Sequence, residues 1–342
     1  MNMADAFSKI ISHQGLTEGE MAALMRGIMT GEASAAQIGG LLMGLAVKGE
    51  TVDEITGAAQ VMRELATPVV VAPEYLVDTC GTGGDGATSF NISTTAALVV
   101  AAAGGRVAKH GNRAVSSRSG SADVLEAAGV NLQLMPEQVA RCIDTVGVGF
   151  LFAPRHHSAT RYAVAPRQEL GVRTMFNLLG PLTNPARAPN QVMGVYAQRW
   201  LRPLAEVLHR LGSRHVMVVH SEDGMDEISI SAATWVVEMR DGAISEYKIA
   251  PENFGLSRAD RGQLHVVSVE ESLEKMKRGL QAGSGAVSDI VALNAGAALY
   301  VSGVTRSLHD GVKLAQDVQA SGQASEKLRD LVAFTQIYVG QS

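Results

Sequence analysis

Cysteine and charge are both scarce in this 342-residue chain: there are two cysteines, Cys80 and Cys142, and 18% of the residues are charged. Two isolated thiols with no CxxC spacing argue against a disulfide framework or a cysteine nucleophile, and read as small buried hydrophobes. Long apolar runs are missing too. The best candidate, residues 96–105, is about half the roughly 20 residues that span a bilayer, so no membrane partner is expected. The opening MNMADAFSKIISHQG lacks the basic, apolar and small-residue order of a secretory signal, and the expected location is cytoplasmic. No repeat, low-complexity tract or charged tail stands out. A net charge of −5 gives no general attraction to nucleic acid, so any anion must be held by local groups.

What is present is a change of rhythm along the chain. Up to about residue 67, apolar residues such as Met21, Leu24, Met25, Ile28, Leu41, Leu42 and Leu45 recur at three and four, with breaks at Gly15, Gly31 and Gly49. Thr17 with Glu20 and Thr51 with Glu54 have the capping-box spacing. This pattern predicts about four short helices, more apolar than a small bundle buries alone, and therefore packed on the rest of the chain or on a second copy in a homodimer.

PVVVAP (68–73) marks a boundary, after which strand and helix patterns alternate. The expected order is YLVDT, a helix over 91–103, RVAKH, a helix over 121–128, NLQL, a helix begun by Pro136, GFLFA, a helix near 158–170, QVMGVY, the helix RWLRPLAEVLHRL, and HVMVVH. HVMVVH is apolar throughout and reads as buried on both faces. Asp241-Gly242 within MRDGAISEYKI signals a hairpin, and helices fill about 268–340. The fold class is therefore α/β: a small helical domain over 1–70, with a contribution from helices around 165–190, and an α/β domain over 71–342 with a mostly parallel sheet.

Chemistry concentrates after the first two strands. Gly81, Gly83, Gly84 and Gly86 follow one strand and precede a helix that begins near Asn91 with hydroxyls at Ser93 and Thr94. Glycine permits positive φ and close approach of a ligand, and a helix start offers amides and a favourable dipole to an anion. An ordinary turn capped by Asn91 explains the same run, which is neither a Walker A loop nor a dinucleotide fingerprint. The second strand then delivers Lys109 and His110, with Asn112, Arg113, Ser116, Ser117, Arg118, Ser119 and Ser121 behind them. Two such loops at neighbouring strand ends point to a ligand with two phosphate groups.

Six motifs in order, DTCGTGGDG, FNIST, AKHGNRAVSSRSGSADVLEAAG, FLFAPRHH, RQELGVRTMFNLLGPLTNP and DGMDEIS, resemble those of the anthranilate phosphoribosyltransferase family, in the nucleoside-phosphorylase-like group. Ser89, Ala128 and the segment 156–162 depart from the usual pattern. The resemblance implies transfer of a phosphoribosyl group from phosphoribosyl pyrophosphate to the amine of anthranilate, in tryptophan biosynthesis. It implies donor binding by Gly81, Gly84, Asp85, Ser89, Asn91, Ile92, Ser93, Thr94, Lys109, His110, Gly111, Asn112, Arg113, Ala114, Val115, Ser116, Ser117 and Ser121. Anthranilate is expected beside Gly81, Asn112, His110, His157 and Arg167, whose guanidinium suits a carboxylate.

The resemblance also implies Mg2+, expected as two ions, on Asp226, Glu227 and Ser93, and magnesium's preference for oxygen ligands that bridge to phosphate suits such acids. His110, His156 and His157 lack partners at zinc spacing and read as lining the acceptor site. No nucleophile or general base is expected; positioning and electrostatics carry the reaction. Segments 68–73 and 167–185 are candidate hinges. The alternatives are a pyrimidine nucleoside phosphorylase and a non-catalytic, nucleic-acid-binding relative of the fold.

Overall fold

The computed structural model describes residues 1–84, 86, 88–114, 118–283 and 285–340. Four helices open the chain: α1 (Met3–Ile11), α2 (Glu18–Met29), α3 (Ala35–Lys48) and α4 (Val52–Leu65). Capping boxes start α2 at Thr17 and α4 at Thr51, as their spacing predicts, and a third at Ser34 with Gln37 starts α3. Glu54 does more than cap: its buried carboxylate also accepts from the Leu16 amide and pairs with Lys48 at 3.1 Å.

Seven strands form one sheet in the order β3-β2-β1-β4-β5-β6-β7. They are β1 (Leu76–Gly81), β2 (Arg106–Gly111), β3 (Val148–Phe152), β4 (Asn190–Gly194), β5 (His215–Ser221), β6 (Thr234–Arg240) and β7 (Ala243–Ile249). The first five run parallel, and β6 and β7 are antiparallel, joined by the expected Asp241-Gly242 turn. Between them come α5 (Ile92–Ala102), α6 (Ser121–Ala127), α7 (Pro136–Val146), α8 (Ala153–His156), α9 (Arg161–Leu170), α10 (Phe176–Leu182) and α11 (Leu201–Arg210). After β7 follow α12 (Val269–Gly279), α13 (Ala286–Ser302), α14 (Leu308–Ser321) and α15 (Gln323–Gln336).

One expected strand is not there. Leu132 and Leu134 in NLQL are buried as alternation predicts, but the segment joins no ladder. Asn131 is instead tied to α15, its amide donating to Thr335 Oγ1 at 3.1 Å, so its apolar side chains fill space between helices.

Two large apolar cores lie on opposite faces of the sheet. One joins α5 and α13 to the strands. The other runs from the four N-terminal helices through Met175, Phe176 and Leu179 to α11 and the sheet residues Val216, Val218 and Met239. The helical bundle thus buries its surplus apolar surface against the sheet's own covering. Among the described residues no helix is long and apolar enough to cross a membrane.

One bond joins the two candidate hinge segments, from Val69 to Pro185, and the end of the helical part is also tied to α8. Thr67 N–H donates to the His156 carbonyl, His156 Nδ1 meets the Thr67 carbonyl, and Val69 N–H donates to the Pro185 carbonyl. Arg63 reaches the carbonyls of Leu182 and Leu211, and its burial lowers its pKa to about 10. His156 therefore fastens the linker at Thr67.

Candidate active site

Because β1 and β2 are parallel neighbours, their following loops emerge side by side at the carboxyl edge, where ligands of α/β sheets collect. The β1 loop takes its path from φ values of +65°, +74° and +72° at Gly83, Gly84 and Gly86, which L side chains rarely adopt. Its bracing comes from far along the chain. Thr82 N–H donates to the Gly194 carbonyl, Thr82 Oγ1 accepts from Tyr196 N–H, and Gly83 N–H donates to the Asp226 carboxylate at 2.8 Å. A Cβ on Gly81 would overlap the Asp226 carboxylate, and one on Gly194 would overlap the Asp226 backbone.

Asp226 and Glu227 lie on the β5–β6 connection, which is framed by groups the sequence reading did not assign. Asp223 accepts from Ser229 Oγ at 2.7 Å and Ser231 Oγ at 2.9 Å; burial opposes its ionisation, but these hydroxyls and that of Ser221 hold its pKa below the usual value. Asn294 of α13 clasps Ile228 through both its amide and its carbonyl. Glu227 and Ser93 line one small cleft with Thr79, Gly194 and Asn294. Carboxylate and hydroxyl oxygens in one cleft at the start of α5 fit a hard cation that keeps several waters. Among the described residues no three His, Cys, Asp or Glu side chains form a metal cluster.

Asn91 links the loops. It makes no side-chain cap to α5; its Oδ1 accepts from Ser119 Oγ at 2.9 Å and Ser272 Oγ at 2.7 Å, and its Nδ2 donates to the Ser119 carbonyl. Ser89 bridges to His265, and Phe90 N–H donates to the Leu264 carbonyl. Ile92 is buried, and Ser93 and Thr94 lie in the first turn of α5.

The β2 loop closes on itself around Asp123, another group not singled out from the sequence. The Asp123 carboxylate accepts from Ala114 N–H and Gly120 N–H, each at 2.9 Å, and from Arg113 Nη1 at 3.0 Å. Arg113 also forks onto Glu126 at 2.7 and 2.9 Å, so its charge is neutralised within the loop rather than held open. Asn112 Oδ1 accepts from Arg113 N–H, and Ser121 Oγ donates to the Asn112 carbonyl. Gly111 ends β2 with Ser121 Oγ where a Cβ would be. The expected donor-binding residues Asp85, Val115, Ser116 and Ser117 lie outside the described residues.

Lys109 is buried, with its ammonium donating to the His110 carbonyl at 3.1 Å. Its counter-charge is Asp78, which accepts from Asn184 Nδ2 at 2.7 Å and His110 N–H at 3.2 Å. Burial raises the Asp78 pKa, and the Lys109 charge pulls against that rise. His110 and His157 lie with ring centroids 5.1 Å apart and planes tilted by 55°, and both Nε2 atoms are buried with no hydrogen-bond partner among the described residues. Burial, reinforced by neighbouring histidines, pushes His110 well below its ordinary pKa and His157 down to about 4. Two neutral imidazoles with unmet nitrogens form a polar spot in an otherwise apolar wall.

Arg167 lies on α9 with its guanidinium 4.9 Å from the Phe176 ring centroid, half-buried, its pKa lowered by that burial. It makes no ion pair with a described residue. Arg173, just beyond α9, does reach the β1 loop, stacking on Tyr196 and lying beside Gly84. Cys142 is buried, which raises its thiol to about 12, consistent with an inert core residue.

Residues 73–325 match the glycosyl transferase family a/b domain, and residues 4–66 match that family's helical bundle domain. An anthranilate phosphoribosyltransferase of Thioalkalivibrio sulfidiphilus is 63% identical, over 98% of this chain and 99% of its own length. The chain belongs to the anthranilate phosphoribosyltransferase family. The crystal structure of the family's Thermus thermophilus enzyme superposes with a TM-score of 0.92 at 48% identity, covering 97% of this chain and 99% of that one. The Saccharomyces cerevisiae enzyme, solved with phosphoribosyl pyrophosphate and magnesium, shares the fold at 22% identity, with a TM-score of 0.89 and 98% of each chain covered.

Proposed function

We propose that the chain transfers the phosphoribosyl group of phosphoribosyl pyrophosphate to the anthranilate amine, releasing pyrophosphate, as a step of tryptophan biosynthesis. The observation that carries this reading is the convergence of three loops: the β1 and β2 loops side by side, and the acid-bearing β5–β6 connection braced against the first through Asp226 and Gly83.

Donor phosphates would lie along the β1 loop, the first turn of α5 and the β2 loop, displacing Asp123 from amides that it now holds. Asp226, Glu227 and Ser93 would hold Mg2+, two ions when the donor is bound, and the metal would supply positive charge to the leaving pyrophosphate. In the reaction the amine lone pair forms a bond to ribose C1 while the bond from C1 to the pyrophosphate oxygen breaks with its electron pair. The amine then loses a proton to solvent. This chain's part is to hold the two reactants in line and to exclude water. Arg167 is placed to take the anthranilate carboxylate, with Asn112, Gly81 and the neutral His110–His157 wall around the ring and amine.

Residues 1–70, with the helices around 165–190, form one body and 71–342 the other; α9 packs on α2 and α3, and α10 on α4, which supports their moving together. Exposed Ile11 and Val47, at 78% and 74%, give the helical body an apolar face suited to a homodimer. The reading places the enzyme in the cytoplasm.

The test is loss of anthranilate fluorescence on adding phosphoribosyl pyrophosphate and Mg2+. Turnover that stops when the metal is chelated is expected. Absence of turnover, with phosphorolysis of thymidine or uridine in its place, would overturn the reading in favour of a nucleoside phosphorylase.

A further inference from the structure

Arg173 stands beside the β1 loop with no ion pair to a described residue. It sits in the segment after α9, which Gly171 ends in a left-handed turn at φ +62°. Its guanidinium carbon is 4.3 Å from the centroid of the Tyr196 ring. On its other side is Gly84: a Cβ there would lie 3.0 Å from Nη2 and 3.3 Å from Nε, so the guanidinium lies against the glycine main chain. Tyr196 is itself anchored, its amide to Thr82 Oγ1 and its hydroxyl to Trp200 Nε1–H at 2.9 Å. The side chain is exposed, and no described residue pairs with it or accepts a hydrogen bond from it.

A guanidinium has five donors in a planar fork suited to phosphate. Stacking on an aromatic face fixes its plane at modest cost and leaves those donors at the edge. Here that edge borders a glycine loop whose Gly83 N–H is held by the Asp226 carboxylate, so an anion entering over Gly84 meets a preset cation. Glycine at 84 serves twice: its φ of +74° demands it, and any side chain would displace Arg173.

We propose that Arg173 is a donor-binding residue that grips the pyrophosphate end of phosphoribosyl pyrophosphate, and that Tyr196 is the positioning residue that aims it. The inference rests on the function proposed above and adds a contact from the α9–α10 segment to the leaving group, so that donor binding pulls the helical side toward the β1 loop. The competing explanation is a stacked arginine that merely fastens this segment to Tyr196.

The experiment measures Arg173→Gln, Arg173→Lys and Tyr196→Leu for KM of each substrate, inhibition by pyrophosphate, direct calorimetric binding of magnesium pyrophosphate, and Tm. Losing a hydrogen-bonded charge pair corresponds to about tenfold or more in affinity. Arg173→Gln is therefore expected to raise KM for the donor and weaken pyrophosphate binding by that factor, with KM for anthranilate and Tm nearly unchanged. Arg173→Lys should recover part of the loss, and Tyr196→Leu should reproduce part of it with the cation still present. Unchanged pyrophosphate binding in Arg173→Gln, or a fall in Tm with both KM values rising together, overturns the proposal. If the wild type binds no pyrophosphate and turns over no donor, it is the proposed function that fails; if it does both and Arg173→Gln matches it, only the role of Arg173 fails.

Discussion

The β1 and β2 loops face the same space and are held in opposite ways. The β2 loop is stabilised by the helix that follows it: Asp123 of α6 lies nine residues from the Ala114 amide it accepts, and Glu126 of α6 lies thirteen from Arg113. The β1 loop is stabilised from outside, by Asp226 at a separation of 143 residues, by Tyr196 at 114 and, on our reading, by Arg173. One loop carries its own stand-in for an anion, while the other depends on the rest of the molecule for its shape. A change in the β2 loop should therefore act locally, and a change behind the β1 loop should reach catalysis from a distance.

The largest effect expected from that contrast is at the acid pair. Asp226→Asn with Glu227→Gln keeps the size and much of the hydrogen bonding but removes charge from the leaving-group side; turnover should fall by about 10²–10³-fold or more. Circular dichroism and Tm should stay near those of the wild type, and magnesium-dependent activity that persists would show that the β1 loop's outside brace is not catalytic. Next comes Arg167→Ala, which should raise KM for anthranilate by roughly 10- to 100-fold, the equivalent of a hydrogen bond to a charged group. Equal changes for both substrates would remove Arg167 from the acceptor site.

A pH titration of stability sharpens the comparison at the His110–His157 wall. The folded pKa of His157 is depressed from 6.5 to about 4, so the unfolded chain takes up its proton first. Stability should be full above about pH 6.5 and fall as pH drops toward 4, by roughly 3 kcal/mol for His157. His157→Gln should flatten that part of the curve, as followed by urea denaturation at each pH; an unaltered slope would mean that the imidazole is not neutral and buried. The smallest effect is at Asp123. Asp123→Ala should cost about 1–3 kcal/mol of stability through orphaned amides and should speed hydrogen exchange at Ala114 and Gly120. Faster exchange across the β1 loop as well would erase the distinction between the two loops.

Much of this architecture was legible in the chain because the signals are local. Capping boxes at Thr17 and Thr51, the Asp-Gly turn at 241–242 and the apolar run of β5 all depend on residues near one another in sequence. NLQL misled because alternation reports which side chains are buried, not whether a neighbouring strand is there to pair with; the place is taken by α15. The glycines and hydroxyls of the candidate site are equally local signals, grouped just after β1 and β2. Less visible were its supports: Asn294 behind Ile228, Asn184 on Asp78 and Arg173 over Gly84. Each is a common residue whose importance comes from a contact that no spacing rule encodes. Asn91 shows the same limit: the plain alternative of a helix cap is not what its side chain does, and its tie between Ser119 and Ser272 could not be read from the sequence.

The fit between Gly194 and Asp226 has one further consequence. The middle strand of the sheet has surrendered a side chain so that an acidic turn can settle on it, and the smallest methyl at that position would have to push the turn away. On the proposed function, scaffold and reaction centre meet there. With Asp226 in its proposed metal-binding role, a larger residue at 194 would trade turnover for packing, and a stabilised descendant of this protein would gain its rigidity elsewhere.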